Sequence, residues 1–505
     1  MKKLISLVLV LALALGIVSF ASAEDVVEIN LTRACFNMAA VDEDQVKKVE
    51  DAINAYIADK INVKVHIREI QSGEYTDKVN LALANNEINL LWTASWEAVI
   101  GTNDLVPQKA VYDLTELLPG TKLYESMAEG QWAASSYDGK NYFVPVYKDN
   151  VEGYDLLYRK AALDSTDFDI TTVTKLADVE PFLEKVVAAN PGLKYPFLLQ
   201  KTAMFYRFGM DNFYFFTGDA NSNWVAISAA TNEVVNTVAT PEYLEYCKLM
   251  ADWAEKGYIS EDEATKTTTD TTTQSQDWGV TWWTDIPVNA EAETRYKQAV
   301  VVNPLTQRYV HSTSNLGSCY CVTASSTPEQ AKACIDFLGL LFTDSKLADI
   351  YTFGIEGEDF EYVKEIEVTD ADGNTVKYGP YEHDHVHTLD ERKYNHGMWE
   401  SASATVVTPE YNEPDNKADL YLDFNGSAAT AVGAGFRFDK APVDAAYEAC
   451  KQVFNEYGFI LECGGFAPSE VEAKIAAYQE ALDKAGFQEV LAEFQNQYNT
   501  WKAAQ

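Results

Sequence analysis

Between Val27 and Trp92 the spacing of apolar residues switches repeatedly between two and three-to-four, and this switching restricts the fold more than any other feature of the chain. Val27, Ile29 and Leu31 alternate, as a strand with one buried face does. Val46, Val49, Ile53 and Ile57 recur at helical spacing, and Val63, Val65 and Ile67 alternate again. A second helical stretch, Tyr75 to Asn85, runs into the apolar strand Ile88 to Trp92. Successive βα units of this kind build a parallel sheet with right-handed crossovers, and such a sheet takes ligands beyond the carboxyl ends of its strands. The loops at Asn37 and from Trp92 to Trp96 fall at those ends.

Farther along, Thr240-Pro241-Glu242 supplies an N-cap and a first-turn proline to a helix that buries Leu244, Cys247, Met250 and Ala254 and ends at Gly257. Thr327-Pro328-Glu329-Gln330 has capping-box spacing and opens a helix with Ala331, Cys334, Leu338 and Leu341 on its inner face. Two helices, along Val471 to Leu482 and Phe487 to Trp501, close the chain around Gly486. Glu365 to Tyr378 alternates on both sides of Asp372-Gly373-Asn374 and reads as a hairpin, whereas the threonine-rich stretch Lys266 to Gln276 reads as a surface loop or weak helix. No repeat of solenoid period is present.

Lys2 and Lys3, the apolar run Leu4 to Val18 and the small residues Ala21-Ser22-Ala23 make residues 1–23 an export leader. No cysteine follows it, so no lipid anchor is expected. The remainder of the 505-residue chain is several times the usual domain length of about 100–200 residues, which points to two lobes rather than one core. A formal charge of −38 argues against nucleic acid and anionic membrane surfaces as partners. Seven scattered cysteines do not form a compact disulfide framework and are expected to be buried thiols.

Several stretches resemble one family in the correct order. GQWAASSYDGKNYFVPV (130–146), YDLLYRKAAL (154–163), MADWAEKGYIS (250–260) and CVTASSTPEQAKACIDFLGLLFTDSKLADIYTFGIEGEDFEYV (321–363) are similar to segments of the family 1 extracellular solute-binding proteins that serve ABC importers. From Phe436 onward the chain is similar to a C-terminal domain of unknown function carried by one branch of that family. The resemblance implies an α/β protein of the periplasmic-binding (Venus flytrap) type. Its first lobe would span 24–147, its second 148–318, a return to the first lobe with the hairpin 319–400, and a C-terminal helical region 401–505 on the second lobe. Interlobe crossings would lie near Pro145 to Asn150 and Leu316 to Val322. The implied function is delivery of a solute to permease subunits by a monomer without cofactor.

The resemblance also places Gly279 to Pro287, GVTWWTDIP, at the cleft edge of the second lobe, where sugar-binding members carry a tryptophan. An indole face suits the C–H face of a pyranose, and neighbours on a strand point to opposite sides, so either Trp282 or Trp283 is expected to stack on the ligand while the other packs inward. Trp96 and Asn37 would serve from the first lobe, Trp399 from a late loop, and Arg207 and Asp211 from the aromatic stretch around Tyr206. Several platforms imply a neutral oligosaccharide. His383, His385 and His387 would share one face of an extended strand, a zinc-like trio beside His396 or Asp384, but their acidic, exposed setting is ordinary for imidazoles and no metal ligands are assigned. The alternatives are a peptide or metal receptor and a secreted glycosidase, the latter needing only two carboxylates at a set separation. No P-loop, zincin or serine-hydrolase signature occurs.

Overall fold

The computed structural model describes residues 26–504 apart from 138, 201–204, 218–219, 264–274, 311–313, 370–372 and 374. The leader, most of the threonine-rich stretch and the tip of the hairpin therefore lie outside the described residues.

The early periodicity forms as read. Strands β1 (Val27–Cys35), β2 (Val63–Gln71) and β3 (Leu90–Thr93) pair in parallel, Val27 opposite Val63 and Leu31 opposite Leu90, with helices Glu43–Ile57 and Ser72–Ala84 as crossovers. β4 (Phe143–Pro145) ends this first run. The chain then enters a second sheet through β5 (Tyr154–Arg159), β6 (Tyr195–Leu198), β7 (Trp278–Thr284) and β8 (Val300–Pro304), ordered β8-β5-β7-β6. β9 (Cys319–Val322) goes back to the first sheet, where it lies antiparallel between β3 and β4 and completes the order β2-β1-β3-β9-β4. The first sheet is packed into one hydrophobic core, and the second lies between a large core and a small one. The return crossing thus precedes Cys319; the expected Leu316 to Val322 includes a strand already inside the first sheet.

Helix caps follow the sequence signals. Thr240 accepts the Tyr243 N–H at the start of Pro241–Glu255, and Thr327 and Gln330 form the reciprocal capping box of Pro328–Leu341. Gly257, just past the first of these helices, sits at φ +73°, the left-handed region that glycine enters without steric cost. Ile366 pairs with Tyr378 and Thr369 with Thr375 in the expected hairpin. All seven cysteines are buried.

The segment after residue 400 divides between the cores. Ala402, Ala404, Val407 and Tyr421 belong to the first core, while Ala431, Phe436, Tyr447, Phe487 and Tyr498 belong to the second. Residues 401–421, grouped above with the second lobe, are therefore first-lobe material. The later helices Asp444–Val453, Val471–Lys484 and Phe487–Ala504 are fastened to the second core, in part through buried Glu462. Its carboxylate accepts from Asn223 Nδ2 (2.7 Å) and the Phe205 N–H (3.2 Å). Among the described residues no helix is long and apolar enough to cross a membrane.

Three asparagines tie the crossing segments together. The Asn150 N–H donates to Asn425 Oδ1 (2.9 Å), Asn425 Nδ2 donates to the Lys148 carbonyl (2.7 Å), and Asn150 Nδ2 donates to Asn315 Oδ1 (3.1 Å). Asn315 in turn donates to Ser135 Oγ (2.6 Å) and the Gln131 carbonyl (2.8 Å). Side-chain amides, with two donors and an acceptor oxygen, bridge the three chain passages beside the short parallel ladder that pairs Tyr309 with Ala429 and Val310 with Thr430.

Candidate functional site

A cleft of about 1530 Å³ runs past the crossings and is lined from both cores. On the first-core side, β1 and β3 deliver Phe36, Asn37 and Trp96 from their carboxyl ends, as the parallel topology requires. Phe36 is the centre of an aromatic cluster, with ring centroids 5.4 Å from Trp92, 5.9 Å from Trp96 and 5.2 Å from Trp399. Trp92 is buried and forms the base of the cluster; Trp96 remains 48% exposed and is the open face. Edge-to-face pairs of this kind are worth about 0.5–1.5 kcal/mol each beyond area burial, so the exposed indole is held in place before any ligand arrives. Trp399 folds back over Gly397, where any Cβ would collide with the indole.

Beneath this cluster lies a buried ionic floor. Arg33 Nε is 3.3 Å from Glu69, His396 Nε2 is 2.8 Å from the same carboxylate, and His396 Nδ1 lies 3.3 Å from Glu400. The Arg33 guanidinium also covers the Tyr351 ring at 4.1 Å. Burial and Arg33 both oppose charge on His396, yet Glu69 and Glu400 hold its pKa above the ordinary imidazole value. Burial opposes the Glu69 charge too, but His396 and Arg33 keep that carboxyl below its usual range. Cation and anion are retained together, as buried charges must be.

On the second-core side, β7 places its two indoles on opposite faces. Trp282 is half-buried against the large second core, its Nε1 donating to the Leu199 carbonyl (3.1 Å), and the Arg207 guanidinium lies 4.0 Å over its ring. Trp283 is 7% exposed in a separate small core, edge-on to Tyr296 at 5.3 Å with Arg295 4.8 Å over it. Both reach the cleft wall. Arg207, Asn37, Trp96 and Trp399 also line it, but Asp211 does not: its carboxylate accepts the Gln307 N–H (3.0 Å) on the exposed surface and caps that loop. The aromatic stretch around Tyr206 brings Tyr206 and Arg207 to the cleft, while Met210 and Phe213 fill the second core.

The histidines do not assemble. His385 is buried, stacked on Tyr381 at 3.6 Å and 2.8 Å from Asp415, whereas His383 is exposed and outside the strand. Among the described residues no group of three His, Cys, Asp or Glu side chains is placed to hold a metal ion.

Sequence reasoning missed Phe36, Arg295, Glu410 and a second acidic site near the crossing. Asp155 on β5 lies opposite Trp283, and Asp285 receives the Arg308 guanidinium, with Nη2 to Oδ1 at 3.1 Å. Both oxygens of Asp155 are buried without a hydrogen-bond partner. Burial first, and the charge of Asp285 second, push its pKa up to about 8. Glu410 on the cleft wall is likewise pushed up to about 7 by burial and Glu413. The only signal available for these residues was the βα topology itself, which names strand ends but not which distant segment meets them.

Comparisons with known proteins bear on the family and the fold. Residues 51–356 match the family model for a bacterial extracellular solute-binding protein, and residues 432–503 match a domain of unknown function. A relative from Streptococcus pneumoniae serotype 4, described as a carbohydrate ABC transporter substrate-binding protein, is 23% identical over 456 residues, covering 88% of this chain and 86% of the relative. The crystal structure of the N-glycan transport solute binding protein from Streptococcus pneumoniae superposes with a TM-score of 0.77 at 21% identity, covering 94% of this chain and 98% of that one. Its complex with Man5GlcNAc gives 0.69 at 19% identity, with coverage of 94% and 98%.

Proposed function

The chain belongs to the bacterial extracellular solute-binding proteins, and from that premise we propose that it is an exported receptor that closes its cleft on a neutral oligosaccharide and passes it to the permease of an ABC transporter. The observation that carries the sugar is a pair of aromatic walls in one cleft from two separate cores: Trp96 with Phe36 and Trp399 from the first, Trp282 under Arg207 from the second. A pyranose has one face of C–H groups and a rim of hydroxyls, which an indole face and nearby polar groups satisfy together. Asn37 and Arg207 supply the polar share from opposite sides.

Two further features support the neutral, extended ligand. Ordinary small-molecule pockets hold about 300–1,000 Å³, and this cleft exceeds them. Acidic and basic residues line it in nearly equal number, although the chain as a whole carries −38. The receptor binds and releases its ligand unchanged. A thermal-shift screen of neutral glycans, acidic glycans, peptides and divalent metals tests this reading. Ligand at one hundred times its Kd stabilises the folded state by about 2.7 kcal/mol. Shifts with peptides or metals and none with neutral glycans would overturn it.

A further inference from the structure

The part of the chain matched to a domain of unknown function contributes a stretch of the cleft wall. Lys440, Asp444, Glu448 and Lys451 line that stretch, with Phe438 and Tyr447 buried behind them. Across the gap, from the first core, stand Trp96, Val99, Asn103 and Asp104. The two walls belong to different cores, yet their relation is fixed through one arginine. Arg437 Nε donates to the Ser136 carbonyl (3.2 Å), Nη1 donates to the Tyr137 hydroxyl (3.2 Å), and the guanidinium lies 3.9 Å over the Tyr137 ring. The Tyr137 hydroxyl donates onward to Asn103 Oδ1 (2.9 Å). A hydrogen-bonded chain thus runs from the C-terminal domain to the turn that faces it.

That turn is strained and apolar in the open. Val99 has φ +67° and is 48% exposed, a conformation rare for a β-branched side chain. It is held from both sides: Asp104 accepts its N–H, and Gln108 Nε2 donates to its carbonyl (3.2 Å). Strain persists only where surroundings over-determine it, and such residues cluster at ligand clamps. The opposite wall is polar and charge-balanced. Lys440 gives one of its three donors to Glu448 (3.0 Å), and the Asp104 carboxyl lies close enough to feel Lys440, Glu448 and Lys451. An apolar, pre-set turn opposite paired lysines and carboxylates suits a group with C–H faces and many hydroxyls and no net charge.

We propose that the C-terminal domain supplies an outer subsite, Lys440 and Lys451 on one wall and Asn103 with the Trp96 to Val99 turn on the other, that takes the far sugar residues of an extended oligosaccharide. This deepens the carbohydrate reading and rests on it. The domain then sets ligand length, while Trp282 and Trp399 hold the nearer rings.

Calorimetric titration of the full chain with Man1GlcNAc and Man5GlcNAc tests the subsite. The wild type prefers the longer glycan, and in a Lys440→Gln, Lys451→Gln double variant that preference falls at least tenfold. Asn103→Ala, on the other wall, lowers the same ratio and serves as the second variant if the first folds poorly. A ratio unchanged in both variants, or a wild type indifferent to length, overturns the outer subsite and leaves the carbohydrate reading standing. A wild type that takes up neither glycan overturns the subsite and counts against the carbohydrate reading as well.

Discussion

Trp92 and Trp96 are close in sequence and share one aromatic cluster, yet replacing them should have opposite consequences. Trp92 is fully buried, so Trp92→Ala is expected to cost about 3–5 kcal/mol of stability, read by urea denaturation. Trp96→Ala removes a half-exposed ring: stability should change by less than about 1 kcal/mol while affinity for a stabilising glycan falls tenfold or more. Equal stability losses in both would show that Trp96 is a core residue. Asp155 makes a pH prediction. In the unfolded chain its carboxyl ionises near 3.8, whereas in the fold it keeps its proton to about pH 8. Between those values the folded state holds a proton the unfolded state has lost, so its contribution to stability declines as pH rises. Asp155→Asn, neutral throughout, should gain in melting temperature over the wild type from pH 4 to pH 8; parallel curves would refute the assignment. At this scale the sequence pointed to Asn37, Trp96, Arg207, Trp282, Trp283 and Trp399, which the structure brings to one cleft, and strand alternation placed Trp282 and Trp283 on opposite faces of β7. It did not show that Arg207 covers the Trp282 ring or that Asp211 turns away, because those outcomes depend on segments that approach only in the folded chain.

Elements were most legible where a local rule had no competitor. The βα alternation before Trp92, the capping box at Thr327 and the hairpin after Glu365 depend on neighbours within one turn or one ladder, and each formed where its signal stood. The crossings were less legible. Residues 305–318 and 401–416 contain little periodicity and are fixed by distant segments: backbone bridges join Tyr147 to Ser403 and Glu152 to Tyr309, and asparagine bonds link Asn150 to Asn315 and Asn425. Asn315→Ala removes the donations to Ser135 Oγ and the Gln131 carbonyl and the acceptor of Asn150 Nδ2, and should cost about 1–3 kcal/mol. Hydrogen exchange should quicken at residues 146–153 before it quickens in either sheet. Uniform quickening across both sheets would instead mean that the asparagines stabilise the lobes, not their junction.

The whole molecule is two main cores joined by crossing segments, with a cleft along the junction, and motion there is expected to be a hinge. Small-angle scattering with a saturating glycan should show a smaller radius of gyration than without; identical profiles would sink the closure. The order of the first sheet has another consequence. β9 lies between β3 and β4, so β4 has no partner strand in that sheet until residues 319–322 are present. During synthesis the amino-terminal lobe therefore waits, with its sheet open, for the entire second lobe to be made. Non-local pairing of this kind folds slowly. Until residues 319–322 arrive, the first sheet stands as the three parallel strands β2, β1 and β3, with the β3 edge still unpaired.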